Sequence, residues 1–230
     1  MPDHRTIYNE HADQYERLIS FENCQHNILP ALQGIVALDG LDVLDLGGGT
    51  GRLACMLAPV VRTLGVFDAS PHMLGVARRK LRASGLRNWC VAAADHRYLP
   101  VGDQVADLIV SGWSICMLFV WYPETWRDAL VQAFAEMRRA LRPGGTIVIL
   151  ETLGTGYEKP HRYENLAPYY AFLDEICLDS TWIRTDLAFE SDAQAELLSG
   201  FFFGEGEAQR MVSRYGAYVP ECTGLWWLRG

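Results

Sequence analysis

The sequence predicts an α/β fold: a mostly parallel sheet of seven strands with helices on both faces. Three observations carry that prediction. From Leu41 onward, short apolar and β-branched runs alternate with helical patterns, the order expected where crossover helices cover a parallel sheet. The first such run ends in an acid and passes through four glycines in five positions into a helical stretch (Asp45-Leu46-Gly47-Gly48-Gly49-Thr50-Gly51). Helix ends are also marked: Ser70-Pro71 places a capping hydroxyl before a proline at the first helical position, and Pro143-Gly144-Gly145 stops a helix ending near Leu141.

In chain order, the first forty residues read as two helices, with Tyr8, His11, Tyr15 and Leu18 at helical spacing. Strands are expected near 42–46, 63–67, 89–93, 105–111 and 146–151, and Pro123-Glu124 opens the helix that runs toward Leu141. After Glu151 comes an aromatic-rich stretch (Tyr157, His161, Tyr163, Tyr169, Tyr170, Phe172), then a strand from Thr181 to Phe189. Ser191 with Gln194 forms a capping box for a further helix, and Leu225-Trp226-Trp227-Leu228 reads as the closing strand. Neither a repeat nor a flexible linker divides the 230 residues, so one domain is expected.

Composition narrows the partners. Half the residues are hydrophobic and the mean hydropathy is near zero, as in an ordinary globular protein. A formal charge of −8 weighs against a nucleic-acid partner, whose phosphates call for a basic surface, and favours a small molecule. The basic cluster Arg78, Arg79, Lys80 and Arg82 reads as a solvated helix face. No apolar stretch has membrane-spanning length, and Met1-Pro2-Asp3-His4-Arg5 lacks a signal-peptide pattern, so no membrane association and a cytoplasmic location are expected. The six cysteines (Cys24, Cys55, Cys90, Cys116, Cys177, Cys222) lack zinc-ligand or redox-pair spacing; they are expected as reduced thiols, mostly in the core, with no metal.

The glycine run is the strongest functional signal. Glycines permit positive φ and let a ligand approach the backbone, and the following helix offers unpaired N–H groups. Gly49-Thr50-Gly51-Arg52-Leu53-Ala54 also fits the pattern that binds dinucleotide pyrophosphates, so the motif alone leaves two readings. Asp45 separates them. A carboxylate at the strand end repels a pyrophosphate and suits an ammonium or sulfonium.

The arrangement of Asp45, Gly47, Gly49 and Gly51 resembles the first motif, acid-x-G-x-G-x-G, of the class I S-adenosylmethionine-dependent methyltransferases. The resemblance is good over 41–151 and implies a Rossmann-like sheet with an antiparallel C-terminal strand. It divides the chain into an N-terminal helical cap (1–40), a cosubstrate-binding core (41–151) and an acceptor-side segment with the final strands (152–230). S-Adenosylmethionine is the implied cosubstrate and S-adenosylhomocysteine the product. Asp68, 23 residues after Asp45 at the end of the second strand, is expected to accept the ribose hydroxyls, although it could instead cap the next helix. By resemblance Ala69 and Met73 flank the adenine, and Asp95-His96 approaches its amino group, an acid after a strand being also common turn chemistry. Ser111, at the end of the fourth strand with Gly112 and Trp113, is expected near the reacting methyl. Tyr8 and Tyr15 are similar to an N-terminal helix that closes over the cosubstrate, and read equally as a core-facing stripe.

Displacement at a sulfonium-activated methyl needs alignment and exclusion of water more than a dedicated catalytic group. If a general base acts, His11, His96 and His161 are the candidates. Ser111-Gly112-Trp113-Ser114 is not the Asn/Asp-Pro-Pro-aromatic signature of methyltransferases acting on exocyclic amines of bases or on glutamine. The 154–180 segment is expected as the lid over the acceptor, its aromatics reading alternatively as sheet packing. A small-molecule methyltransferase is thus the leading reading; a nicotinamide-dependent oxidoreductase and a non-catalytic S-adenosylmethionine-binding protein are the alternatives.

Overall fold

A computed structural model describes residues 3–177 and 179–230. Three N-terminal helices, α1 (His4–Glu10), α2 (Ala12–Ile19) and α3 (Ile28–Ile35), replace the two expected from periodicity. The break falls at His11, whose φ of −125° leaves helical geometry, so Tyr8 and Tyr15 sit on separate helices. The alternating part then follows: β1 (Asp42–Leu46), α4 (Arg52–Leu57), β2 (Thr63–Asp68), α5 (Pro71–Ala83), β3 (Trp89–Ala93), β4 (Ala106–Gly112), α6 (Cys116–Trp121), α7 (Trp126–Ala140) and β5 (Leu141–Thr155). After a 3₁₀ turn, Glu164–Leu166, come α8 (Ala167–Ile176), β6 (Asp179–Arg184), β7 (Leu187–Ala188), α9 (Asp192–Phe203), α10 (Glu205–Tyr215), β8 (Tyr218–Val219) and β9 (Glu221–Arg229).

Seven strands form one sheet in the order β3-β2-β1-β4-β5-β9-β6. The first five run parallel, and β9 inserts antiparallel between β5 and β6. This is the Rossmann-like, mostly parallel sheet with an antiparallel C-terminal strand. Period-2 alternation sorts the strand residues between its two faces. Leu44, Leu46, Ile109, Ile147 and Ile149 face α7 and α8, where Phe134, Met137, Tyr169 and Phe172 are buried. Val43, Leu108, Val110, Val148 and Leu150 face α3, α4 and α5, with Leu32, Leu57 and Leu81.

Two strand readings change. The run from Thr181 to Phe189 is broken at Thr185-Asp186, because both side chains are buried in hydrogen bonds with β9: Asp186 Oδ1 accepts from Glu221 N at 2.9 Å and the Thr185 and Thr223 hydroxyls bond at 2.6 Å. β7 consequently leaves the main sheet and pairs with β8. β5 begins at Leu141 rather than near 146, since Leu141 already pairs with Ala106 and the Pro143-Gly144-Gly145 stretch forms a bulge before pairing resumes at Thr146.

The capping signals form as read: Ser70 Oγ accepts from Met73 N, and Ser191 Oγ from Gln194 N. Helix α6 had no amphipathic signal because Cys-Met-Leu-Phe-Val-Trp is apolar on every side. All six cysteines are free; Cys116, Cys177 and Cys222 are buried, while Cys90 is exposed on an edge strand.

Trp226 on β9 is 1% exposed, stacks on Tyr170 and donates its indole N–H to Asp174 at 2.8 Å. Replacing it with alanine is expected to lower stability by about 3–5 kcal/mol, measured by urea unfolding.

Candidate functional site

At the carboxyl ends of β1, β2 and β4 the chain surrounds a cavity of about 380 Å³. This is the edge at which open parallel sheets bind ligands, where strand order reverses about β1. The floor is the glycine turn. Gly47 has φ of +68°, and a Cβ there would stand 2.1 Å from Ser114 Oγ and 3.0 Å from His96 Nε2, so only glycine fits. Gly51 has a different task. Its φ of +85° caps α4, and a Cβ would press on Ala77 of α5 at 3.1 Å; the residue packs two helices and does not line the cavity.

Asp45 lies beneath the turn, 1% exposed, with neither carboxylate oxygen in a hydrogen bond among the described residues. Burial, with the nearby Asp68 charge, pushes its pKa up to about 7 against a smaller opposing effect of the Ala54 backbone N–H. Asp68 is held tightly: Oδ2 accepts from Gly49 N at 2.9 Å and Oδ1 from Ser70 N at 2.7 Å. Burial raises its pKa, and those two backbone donors oppose the rise. Ser70 still caps α5, so cap and carboxylate act together, and its hydroxyl also donates to Tyr8 O at 2.7 Å, tying α1 to the site.

Ala69, Met73, Asp95, His96, Tyr8 and Tyr15 line the same cavity with Asp45, Gly47, Gly49 and Asp68. Asp95 is chelated by Arg97 at 2.7–2.9 Å, which keeps its pKa below the usual carboxylate range, and the Arg97 guanidinium lies 4.6 Å over the Tyr122 ring. His96 Nε2 is 3.1 Å from Ser114 Oγ, which is 2.9 Å from Ser111 Oγ. Burial drives the imidazole down to about 4, so it is neutral at physiological pH.

Four expected residues lie outside the cavity. Gly51 packs helices; Ser111 is fully buried behind Ser114. His11 is exposed at the α1–α2 break against Phe201, and His161 stacks on Tyr157 at 4.0 Å. The lid reading of 154–180 is overturned: no described residue of that segment lines the cavity, and Tyr169, Tyr170 and Phe172 are buried under the sheet. The outer wall comes instead from α1 and α6, through Arg5, Tyr8, Met117, Leu118 and Trp121, with Tyr122 after α6. Arg52, an unassigned letter of the glycine motif, reaches the wall too; it pairs with Glu22 and stacks 3.7 Å over Trp113. Its sequence signal was a cation beside the motif. The apolar α6 gave none.

The methyltransferase domain family matches this chain over residues 43–145, the stretch that builds β1 through the start of β5 and the cavity floor. Residues 43–145 are a methyltransferase domain. A ubiquinone/menaquinone biosynthesis C-methyltransferase, UbiE, of Coxiella burnetii is 36% identical over 141 residues, covering 59% of this chain and 48% of that protein. The chain thus spans about half the length of the curated relatives it matches. Phosphoethanolamine N-methyltransferase 2 of Haemonchus contortus, solved with phosphomonomethylethanolamine and S-adenosylhomocysteine, superposes with a TM-score of 0.63 at 17% identity over 96% of this chain and 58% of its own. A SAM-dependent methyltransferase of Aquifex aeolicus gives 0.56 at 15% identity, covering 94% and 96%. The shared fold extends beyond the methyltransferase domain to the last strands.

The lifted Asp45 pKa has a consequence for stability. An acid that titrates near 7 when folded and near 4 when unfolded costs nothing below pH 4, and its penalty grows to on the order of 4 kcal/mol as pH rises through 7. The stability of Asp45→Asn relative to the parent should therefore climb between pH 4 and pH 7 and level off above, as read by urea midpoints across that range.

Proposed function

We propose that this chain transfers a methyl group from S-adenosylmethionine to a small-molecule acceptor. The observation that carries the reading is the unpaired Asp45 carboxylate buried under a glycine turn, beside a second carboxylate at the end of the adjacent strand. A buried acid without a partner is costly unless a cation meets it, and a ligand bearing an ammonium and a sulfonium supplies one. The same acid disfavours a diphosphate, which counts against the nicotinamide alternative. Asp68 keeps a free lone pair on each oxygen after serving Gly49 and Ser70, enough to accept a ribose diol. Ala69 and Met73 form an apolar wall suited to a purine; Asp95, its charge fixed by Arg97, and His96 stand beside it.

When bound, the cosubstrate supplies a methyl group on a positively charged sulfur. The chain's part is to align and to dry. Tyr8 and Tyr15 on the two short helices close the cavity from outside, their rings 5.6 Å apart edge to face and Tyr8 packed against Trp121. Apolar contacts of this kind exclude water from the transfer. The acidic chain, at −8, fits a small acceptor better than a nucleic acid. No described helix is long and apolar enough to cross a membrane.

Calorimetry with S-adenosylmethionine, S-adenosylhomocysteine and NADH tests the reading. The first two are expected to bind in the micromolar range or tighter, and binding of NADH in their place would overturn it. Asp68→Asn keeps an acceptor for one backbone amide and is expected to weaken the product at least tenfold while unfolding stays cooperative; unchanged affinity would remove Asp68 from the site.

A further inference from the structure

The acceptor end of the cavity differs in chemistry from its floor. Tyr8, Met117, Leu118 and Trp121 give it an apolar, aromatic wall. At its mouth the exposed guanidinium of Arg5 lies 4.9 Å over the Trp121 ring. Arg5 is also the cation of the cavity left without a carboxylate. Arg52 is neutralised by Glu22 and Arg97 by Asp95, whereas no ion pair among the described residues uses Arg5. The nearest acid in sequence, Asp3, is occupied as the cap of α1, accepting from Arg5 N at 3.0 Å and from the Thr6 hydroxyl at 2.7 Å.

The titratable groups around the wall are committed elsewhere. Asp95 is chelated by Arg97, Asp68 holds two backbone amides, and His96 is a neutral, weak base bonded to Ser114. The phenol of Tyr8 is pushed by burial well above its ordinary pKa and is no base at neutral pH. None of these four groups is fitted to take a proton from the acceptor.

Resting on the methyltransferase reading, we infer that the acceptor is a flat apolar molecule that enters as an anion, its ring against Tyr8 and Trp121 and its charge met by Arg5. Such an acceptor leaves its proton in solvent before it binds. Its lone pair then forms the bond to the methyl carbon while the carbon–sulfur pair stays on sulfur, so the negative and positive charges cancel. Charge cancellation is favoured in a dry, apolar cavity, which stabilises separated ions poorly.

Binding of three probes of one shape tests this without knowledge of the natural acceptor: 2-naphthoate, 2-naphthamide and 2-naphthylmethylammonium, titrated by tryptophan fluorescence into protein saturated with S-adenosylhomocysteine. Naphthoate is expected to bind at least tenfold tighter than the amide, with the ammonium weakest. Arg5→Met, which keeps an apolar stem over Trp121, should erase the preference for naphthoate over the amide, and Arg5→Lys should restore part of it. Equal binding of all three probes, or a preference that survives in Arg5→Met, overturns the anion reading while leaving the methyltransferase reading intact. Failure of S-adenosylhomocysteine itself to bind, measured first by calorimetry, overturns both.

Discussion

The carboxylate of Asp68 is the joint on which the cavity turns. One oxygen fixes the middle of the glycine turn through Gly49 N, and the other fixes the start of α5 through Ser70 N. Ser70 passes the constraint outward, since its hydroxyl accepts from Met73 N and donates to the carbonyl of Tyr8. Floor, side wall and outer helix are thereby set by one acid and one serine. Three of these four bonds are 2.7–2.9 Å long, and all are at least partly buried, where a lost partner is costly. The residue read from spacing as a ligand for a sugar is also the residue that shapes the space for it.

A second theme is buried acidity without a matching cation. Asp45, Glu151 and Glu221 are each pushed up to about 7, with burial as the main cause. Their settings differ. Glu151 accepts from the Tyr169 hydroxyl at 2.7 Å and from Cys116 N at 3.2 Å, which joins the start of α6 to α8. Glu221 accepts from the Thr155 hydroxyl at 2.8 Å and from Thr185, which joins β5, the β6–β7 connection and β9. These two acids organise helices and strands around the site. Of the three, Asp45 alone has both carboxylate oxygens buried without a hydrogen-bond partner among the described residues, and that asymmetry is why it, and not the others, bears on a ligand.

Much of the architecture was legible because parallel strands buried on both faces leave a strong mark. The five strands up to β5 fall close to the apolar runs, and the caps at Ser70 and Ser191 fall where side-chain chemistry requires them. Legibility fails wherever a segment's role depends on what lies across from it. Tyr157 to Phe172 looks like a lid when read alone, since aromatic residues serve a ligand wall and a core equally well. Placement of α8 beneath the sheet makes Tyr169, Tyr170 and Phe172 core. The all-apolar α6 looks like core and forms the wall of the cavity instead. His11 and His161 were reasonable bases by residue type, and only distance in space removes them from the cavity.

By itself the sequence determined the layout of the five parallel strands, the glycine turn and the two carboxylates at adjacent strand ends, because these depend on backbone geometry and on residues within a few positions of one another. The tertiary structure decided which helices wall the cavity, that Gly51 packs helices while Gly47 makes the floor, and that Arg5 has no ion pair among the described residues where Arg52 and Arg97 do. Those outcomes rest on contacts between residues distant along the chain, and no local pattern of hydrophobicity or charge encodes which distant partner a side chain will meet.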